Sequence, residues 1–594
     1  MDDQNGATRL GRWETALLLT YCLLFFGLSL VGGRPLTMHE GVLPETSREM
    51  SLDHDWIIPK NGGRPWMENP PLPQWITVAI GACFGGCDRV WITRIGPALA
   101  ATLAVWLTAR MATRWFGRGV GLLAGLVLAT TYEFTQYAWL AEDEIFLCAL
   151  CTLAIDAFVS LEFGANGQIA SGGFQPFGWR PAAFLWLYVA VGLTNLAKGL
   201  MFGPVMVGVP MAGYLLWNRD WRRISHYLWA WGFLTFAVIM LAWPIAAMWR
   251  LPDVVDLWHY DHVGRLDGSY VDLTEPWWYY LKVLPTNLAP WTLLVPLAFW
   301  GSSPAAWRDR ASPERFLWCW AVLPVIVFSI PSGKHHHYLL HCTAPFSVLV
   351  ARSLPLIHAQ IQSWPKQFRN PWNSVATLIL PGEVALWLWG HKLPGGGSVT
   401  GALMLAWPLL VLWFSWSTAL PSRSLAAAGL LSTVTMGFVG GHLYAGRYVD
   451  QCIEDTVFLR QVPQHVPPQD PVLVNADLQC LDEFRIQFYL GSRSKVLHNL
   501  TFLAADQLAN RVYLITRAEH EPLLSEYGTP TLLSQSLRSR RERDPGRRLS
   551  LYQLDLRADL PRHSTVGIKV TPMQSQSRAP GPFLGAAVES ALRH

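Results

Sequence analysis

Three neighbouring acids, Glu142, Asp143 and Glu144, stand directly ahead of a long apolar run. Adjacent carboxylates raise one another's pKa values. That suits a proton acceptor working near neutral pH or a cation site, although a solvated turn has the same composition. Asp143, flanked on both sides, is the catalytic candidate of the three. His39 titrates near neutrality and can serve as base or metal ligand, or it is a hydrogen-bonded surface residue. His259 and His262 lie three apart, on one face if the segment is helical. Lys334 and Tyr338 lie four apart, so one helical turn would align an ammonium with a phenol. Successive residues of His335-His336-His337 between them face different ways, so at most one is expected to matter. Lys198 and Arg265 complete the set of cations, with snorkelling to a membrane interface as the plain alternative.

The elements that must position these groups are written in the composition. The 594 residues are 51% hydrophobic and only 15% charged, with 46 Lys+Arg against 42 Asp+Glu, and the mean hydropathy is +0.22. A soluble chain carries about 25% charged residues. The deficit, with apolar residues gathered in long blocks, excludes a soluble multidomain enzyme, a coiled coil and a disordered chain. A net charge of +4 makes no basic stripe, so no nucleic-acid partner is expected. The 31 Trp fit membrane interfaces, where indoles collect. Nine Cys include a single C-x-x-C pair, Cys148 and Cys151, inside the apolar block 144–162, and so support neither a zinc ribbon nor a thioredoxin-type site.

Blocks long enough to cross the hydrocarbon core run from Glu14 to Gly32 and near 89–109, 119–137, 144–162, 182–198, 200–217, 226–249, 285–300, 315–331, 337–353, 374–391, 399–418 and 423–442. This predicts an α-helical polytopic membrane protein of about thirteen spans. Arg9 and Arg12 ahead of the first block place the N-terminus in the cytoplasm by the positive-inside rule. Alternation then puts Arg110, Arg114 and Arg118, Arg219, Arg222 and Arg223, Arg308 and Arg310, Arg352, Lys366 and Arg369, and Arg423 on the inner side. The first loop (33–75), the acidic turn, the loop 250–284 and the turn Gly333 to Tyr338 all fall on the opposite face. Ionisable groups near lipid are costly and tend to be functional, so that face is the expected site.

Past residue 443 the texture changes. PVLVNA, FRIQFYL, SKVLHNL and VYLIT read as strands and Leu503 to Asn510 as a helix, which predicts a small extracytoplasmic α/β domain. Cys452 and Cys480 are there either as a disulfide or as two free thiols. The expected division is 1–443 membrane domain, 444–564 outer domain and 565–594 a disordered tail rich in Ser, Pro, Gln and Arg.

The first loop reads TMHEGVLPETSREMSLDHDWIIPKNGGRPWMENPPLPQW. An acidic motif, R-E-M, D-W-x-x-P, a Gly-Arg-aromatic stretch and E-x-P-P-L-x-x-W follow in that order. The set resembles the polyprenol-phosphate-dependent membrane glycosyltransferases of the GT-C fold, in particular the aminoarabinose transferases and the bacterial relatives of the protein O-mannosyltransferases. Leu196 to Gly199 is similar to the family's L-x-K-G segment, Lys334 to Tyr338 to its K-x-x-x-Y turn, and 262–265 with 276–280 to its central outer loop. The resemblance covers roughly the first 350 residues.

It implies transfer of a sugar from a polyprenyl-phosphate donor in the membrane lipid to an extracytoplasmic acceptor hydroxyl, with inversion. Glu40 becomes the family-matched base beside Asp143 and His39. Lys334, Tyr338, Arg265 and Lys198 become contacts to the donor phosphate. Glu68, with His262, becomes the candidate site for a divalent metal cation. Three departures are visible. The family's Asp-Glu is His39-Glu40 here, an Arg expected two residues after that Glu is Val42, and E-K-P is Glu68-Asn69-Pro70. The resemblance therefore points away from aminoarabinose as the sugar. A secondary transporter would need broken, repeat-related helices and mid-helix charges, for which Asp156 is the main candidate. An inactive family member acting as a scaffold is the third reading.

Overall fold

The computed structural model describes residues 9–31, 34–37, 39–163, 176–178, 180, 182–199, 201–219, 221–259, 275–362, 431–432, 434–435, 437–439, 451–475, 480–497, 500, 503, 510–537 and 548–557. Five helices among them are long and apolar enough to cross a membrane: Arg12–Val31, Val90–Phe116, Glu144–Glu162, Ala230–Arg250 and His336–Leu356. Helices Ala182–Ala197, Phe202–Asn218 and Pro313–Ser329, of 16, 17 and 17 residues, lie where shorter spans are expected. The chain is thus a helical multi-pass membrane protein. The expected spans at 374–391 and 399–418 lie outside the described residues, as does most of 423–442.

Two predicted spans are broken. The block 119–137 divides into Arg118–Ala129 and Tyr132–Trp139. Thr130 and Thr131 interrupt it: their hydroxyls donate to Leu126 O and Val127 O, and Thr135 Oγ1 donates to Ala129 O. The hydroxyls thereby add to the few backbone bonds that the helix end keeps, such as Thr130 N to Leu126 O. The block 285–300 belongs to Tyr279–Asn287 and Trp291–Arg308, which meet at a bend of 110°. The deep Asp156 is paired with Arg110 of the neighbouring helix Val90–Phe116.

The first loop is a folded unit. Helix Val42–Asp53 is followed by a two-residue hairpin, β1 (Lys60–Asn61) and β2 (Arg64–Pro65), and by helix Leu72–Phe84. Gly62 and Gly63 turn the hairpin at φ +61° and +76°, as a tight hairpin turn requires. Glu49 accepts from both of their N–H groups, at 2.6 and 3.0 Å.

Near the C-terminus five strands form one sheet in the order β4-β3-β5-β7-β6: β3 (Val472–Asn475), β4 (Ser494–Leu497), β5 (Arg511–Arg517), β6 (Gly528–Gln535) and β7 (Leu549–Leu556). β3 is parallel to β4 and β5, and β7 is antiparallel to β5 and β6. Alternate residues feed two cores. Val472, Val474 and Ile515 pack with Phe458 and Ile486 on one face, while Leu473, Leu514 and Leu554 pack with Leu497 and Leu524 on the other.

FRIQFYL is not a strand. It lies in helix Cys480–Leu490. Its apparent alternation hides a four-residue spacing: Ile486 and Leu490 face the sheet, and Glu483 and Gln487 face the hairpin. Of the expected helix from Leu503 to Asn510, residues 504–509 lie outside the described set, as do both expected domain boundaries and the side chains of Cys452 and Cys480.

Candidate active site

Glu40 lies in the short 3-10 helix His39–Gly41 and is completely enclosed. Thr37 N donates to its carboxylate at 2.9 Å and Glu40 N donates back to Thr37 Oγ1 at 3.3 Å, the reciprocal pattern of a Thr-x-x-Glu capping box. Arg94, itself buried inside the helix Val90–Phe116, grips both carboxylate oxygens at 2.8 and 3.1 Å. The fourth donor is Ala141 N, at 3.0 Å. Burial alone would raise the Glu40 carboxyl, but the Arg94 charge and hydrogen bonds hold it below the usual carboxylate range. Every face of the expected base is therefore occupied, and its geometry is that of a tie between the first loop and the acidic turn. Sequence reasoning missed Arg94, which is 54 residues away within an apolar helix. The capping signature was the one local signal.

Asp143 has a different environment. It is 8% exposed. Asn69 Nδ2 donates to its Oδ2 at 3.3 Å, while Oδ1 is buried with no hydrogen-bond partner among the described residues. Burial pushes its carboxyl up to about 8; Glu144 and Glu68 add to the rise, and Lys198 and Asn69 oppose it. Burial, Glu144 and Glu40 likewise push Glu142 well above the carboxylate range. Glu142 and Asp143 are thus both raised, with burial the larger cause and the Glu144 charge the next; Glu144 does not share the effect expected of the whole triplet, because it is paired with Lys198.

Lys198 follows helix Ala182–Ala197 and is buried, not snorkelling. Its ammonium pairs with Glu144 and lies 5.9 Å from the centroid of the Tyr338 ring, within cation–π range. Glu144, Lys198, His337, Tyr338 and His341 line one recess with Cys148 and Phe202. Within it His337 Nε2 lies 3.5 Å from Glu144 Oε1. Lys334 is not aligned with Tyr338 by a helical turn, because the 3-10 helix begins only at His336. Lys334 Nζ instead donates to the backbone carbonyls of Glu275 and Pro331. His336 is directed to Glu133, Nδ1 to Oε1 at 2.7 Å, a partner the sequence did not suggest.

His39 is exposed. The surrounding protein, with His336 and Lys198, lowers its pKa against the pull of Glu144 and Glu68. Glu68 is half-buried and borders a second recess with Asn195, Trp243 and Trp258. His259 is exposed at the end of helix Val254–Trp258, and His262 and Arg265 lie outside the described residues. Among the described residues no group of three or more His, Cys, Asp or Glu converges as a metal would require, so the described side chains do not by themselves fit a resident ion.

Residues 68–247 match the family model of dolichyl-phosphate-mannose-protein mannosyltransferases. The chain is 30% identical over 427 residues to the undecaprenyl phosphate-alpha-4-amino-4-deoxy-L-arabinose arabinosyl transferase of Aeromonas salmonicida, covering 68% of this chain and 72% of that one. This chain belongs to the undecaprenyl phosphate-aminoarabinose arabinosyl transferase family. A second member, transferase 2 of Pseudomonas fluorescens Pf-5, is 30% identical over 363 residues, 58% of this chain and 57% of the relative. The chain thus spans little more than half the length of some curated family members it matches. The fold is shared with the crystal structure of ArnT from Cupriavidus metallidurans bound to undecaprenyl phosphate, at a TM-score of 0.69 and 18% identity, over 91% of this chain and 97% of that one. The architecture is accordingly the GT-C membrane fold, as the first-loop motifs imply. Against the family pattern, Asn69 stands where a Lys is expected, and it is the residue that touches Asp143.

Proposed function

We propose that this protein is a membrane glycosyltransferase that moves a sugar from a polyprenyl-phosphate donor to the hydroxyl of an extracytoplasmic lipid, glycan or protein, in the cell (inner) membrane. The observation that carries this reading is Asp143: a buried carboxyl with one oxygen unpartnered among the described residues, beside the Lys198–Glu144 pair, in a chain of this family. In the proposed step the acceptor O–H gives its proton to Asp143 Oδ1. The acceptor oxygen bonds to the anomeric carbon as the bond from that carbon to the phosphate oxygen breaks. A single displacement of this kind inverts the anomeric centre, and both electrons of the broken bond leave with polyprenyl phosphate.

A carboxyl at about 8 is a proton acceptor of useful strength near neutral pH. Lys198 and Tyr338, with Arg265 as the family match, serve the leaving phosphate electrostatically. Lys334, tied to two carbonyls, is assigned to shaping the turn, and Glu40 to positioning the acidic turn through Ala141 N. His39, whose lowered pKa favours the neutral imidazole, is assigned to hydrogen bonding with the acceptor or sugar. Glu68, with His262, remains the place for a divalent cation if one is used, and no step above depends on it. With Asn69 in place of the family's Lys, Lys198 is the cation that acts on Asp143 among the described residues, which supports a sugar other than aminoarabinose.

The test is purified protein with a panel of polyprenyl-phosphate sugars and acceptors, with and without EDTA, beside Asp143→Asn and Glu40→Ala. Release of polyprenyl phosphate that depends on Asp143 is expected. Uptake of substrate into vesicles without a sugar donor would favour a transporter, and donor binding without turnover an inactive scaffold.

A further inference from the structure

Two stretches of the first loop bear on Asp143. One is Glu40, which fixes Ala141 N two residues before it. The other is Asn69, which donates to its Oδ2. Both stretches are gripped by the same distant element, the helix Cys480–Leu490.

The grip on the first stretch is steric. Gly41, next to Glu40, faces the helix so closely that a Cβ there would lie 2.8 Å from Arg485 N and 3.1 Å from Phe484 Cβ. Just upstream, Leu36 N donates to Tyr489 Oη at 3.0 Å. The grip on the second stretch is polar. Glu483 Oε1 accepts from Asn61 Nδ2 at 3.1 Å and from Arg64 Nη2 at 2.6 Å, and Gln487 Nε2 donates to Asn61 Oδ1 at 2.7 Å. Trp66, between Arg64 and Asn69, meets the Phe484 ring edge-on at 4.8 Å. Glu483, Gln487 and Asn61 are all buried. Buried polar groups that pair with one another favour one arrangement, and losing one partner strands the others.

We infer that Glu483, with Gln487 and the Phe484–Arg485 backbone, forms a set of positioning residues for Asp143, so that the C-terminal sheet region is a working part of the catalytic site. The helix holds the two stretches of the first loop at a fixed separation, and Asp143 sits between the groups they present. This rests on Asp143 being the proton acceptor.

A purely structural role would lower the amount of folded protein and leave the chemistry of the surviving fraction intact. A positioning role changes the proton affinity of Asp143, because Asn69 and the burial of the acidic turn set it. The groups acting on Asp143 are Glu144, Lys198, Glu68 and Asn69, with Glu142 alongside. Those acting on Glu483 are Arg64, Asn61 and Glu49, with Gln487 beside them. If the hairpin shifts, the Asn69 hydrogen bond, the adjacent Glu68 charge and the burial of the turn all change, and the Asp143 pKa moves with them.

The experiment compares kcat, KM and the pH–rate profile of the full chain in detergent for wild type, Glu483→Ala, Glu483→Gln, Arg64→Ala and Gly41→Ala. Leu532→Ala, exposed on β6, is the control within the same sheet. Thermal melting is recorded for each. Glu483→Ala, Arg64→Ala and Gly41→Ala are expected to lower kcat at least tenfold with KM within about twofold. Their pH limb is expected to move away from that of wild type, while Glu483→Gln, which keeps the accepting oxygen, stays within about threefold of wild type with its limb in place. Folded variants with unchanged kcat and an unmoved limb overturn the inference. So does a loss of activity whose limb stays in place. If Glu483→Ala does not fold, Arg64→Ala and Glu483→Gln decide by the same criteria. Asp143→Asn, run alongside, separates the two claims. If it is inactive while the clamp variants behave as wild type, only the clamp fails; if it is fully active, the proton-acceptor reading fails and the clamp with it.

Discussion

Replacing Asp143 by Asn should abolish transfer and stabilise the protein at alkaline pH. Asp143 has a folded-state carboxyl at about 8 against an ordinary value of 3.8. Because the folded value is raised, the folded state holds a proton that the unfolded state releases above pH 3.8. Stability therefore falls as pH rises from about 4, and the fall levels off above about 8. A displacement of roughly four units corresponds to about 5 kcal/mol over the full range, an upper bound that relaxation reduces. At pH 7 about a tenth of the molecules carry the ionised form that accepts a proton, and at pH 8 about half. The wild-type rate should climb through this window and reach a plateau above it. Asn carries no proton to lose, so the stability difference between Asp143→Asn and wild type should widen in the variant's favour from pH 5 to pH 9. The assay is a melting series at half-unit pH steps, paired with single-turnover release of polyprenyl phosphate. A pH-independent stability difference, or wild-type transfer by the variant, would refute the reasoning.

Three further outcomes follow from the same geometry. Arg94→Met leaves Glu40 buried without its cation and should cost about 3–5 kcal/mol in a melting or denaturant assay; the double variant Arg94→Met/Glu40→Gln should recover part of that. Lys198→Met removes the cation held by Glu144 and should lower kcat/KM by about 100-fold, with a larger share in kcat, as steady-state kinetics would show. Thr130→Val/Thr131→Val removes the hydroxyl bonds to the Leu126 and Val127 carbonyls and should destabilise the fold by about 1–2 kcal/mol, read as a lower melting temperature.

Much of the molecule is readable from the chain because membranes impose simple rules. Long apolar blocks become helices, and the threonines that break 119–137 show where the rule yields to side-chain hydrogen bonding. Glu142-Asp143-Glu144 stands out in the chain as three adjacent carboxylates, and the burial that separates it from a solvated turn is visible only in the structure. Glu40 does not announce its true surroundings. Its cation is supplied by Arg94, whose place within an apolar helix carries no signal of direction. Lys334 and Tyr338 look aligned at a spacing of four, and the alignment fails because the backbone is extended at His335 before the helix begins. The helix Cys480–Leu490 reads as a strand because two interleaved faces, one toward the sheet and one toward the hairpin, mimic a period of two.

The seam joining Asn61 and Arg64 to Glu483 spans 422 positions for its Asn61 bond. That separation is also an interval of time. At about 5–20 residues per second of synthesis, the hairpin waits some 20–80 seconds for its partner after it is made. Throughout that wait the first span can already be seated in the lipid while the loop behind it lacks the element that closes on it. The seam can therefore close only late in synthesis, and a ribosome stalled before residue 483 leaves an inserted chain whose first loop lacks that partner. Quality control that senses the open loop would have a wide window in which to act.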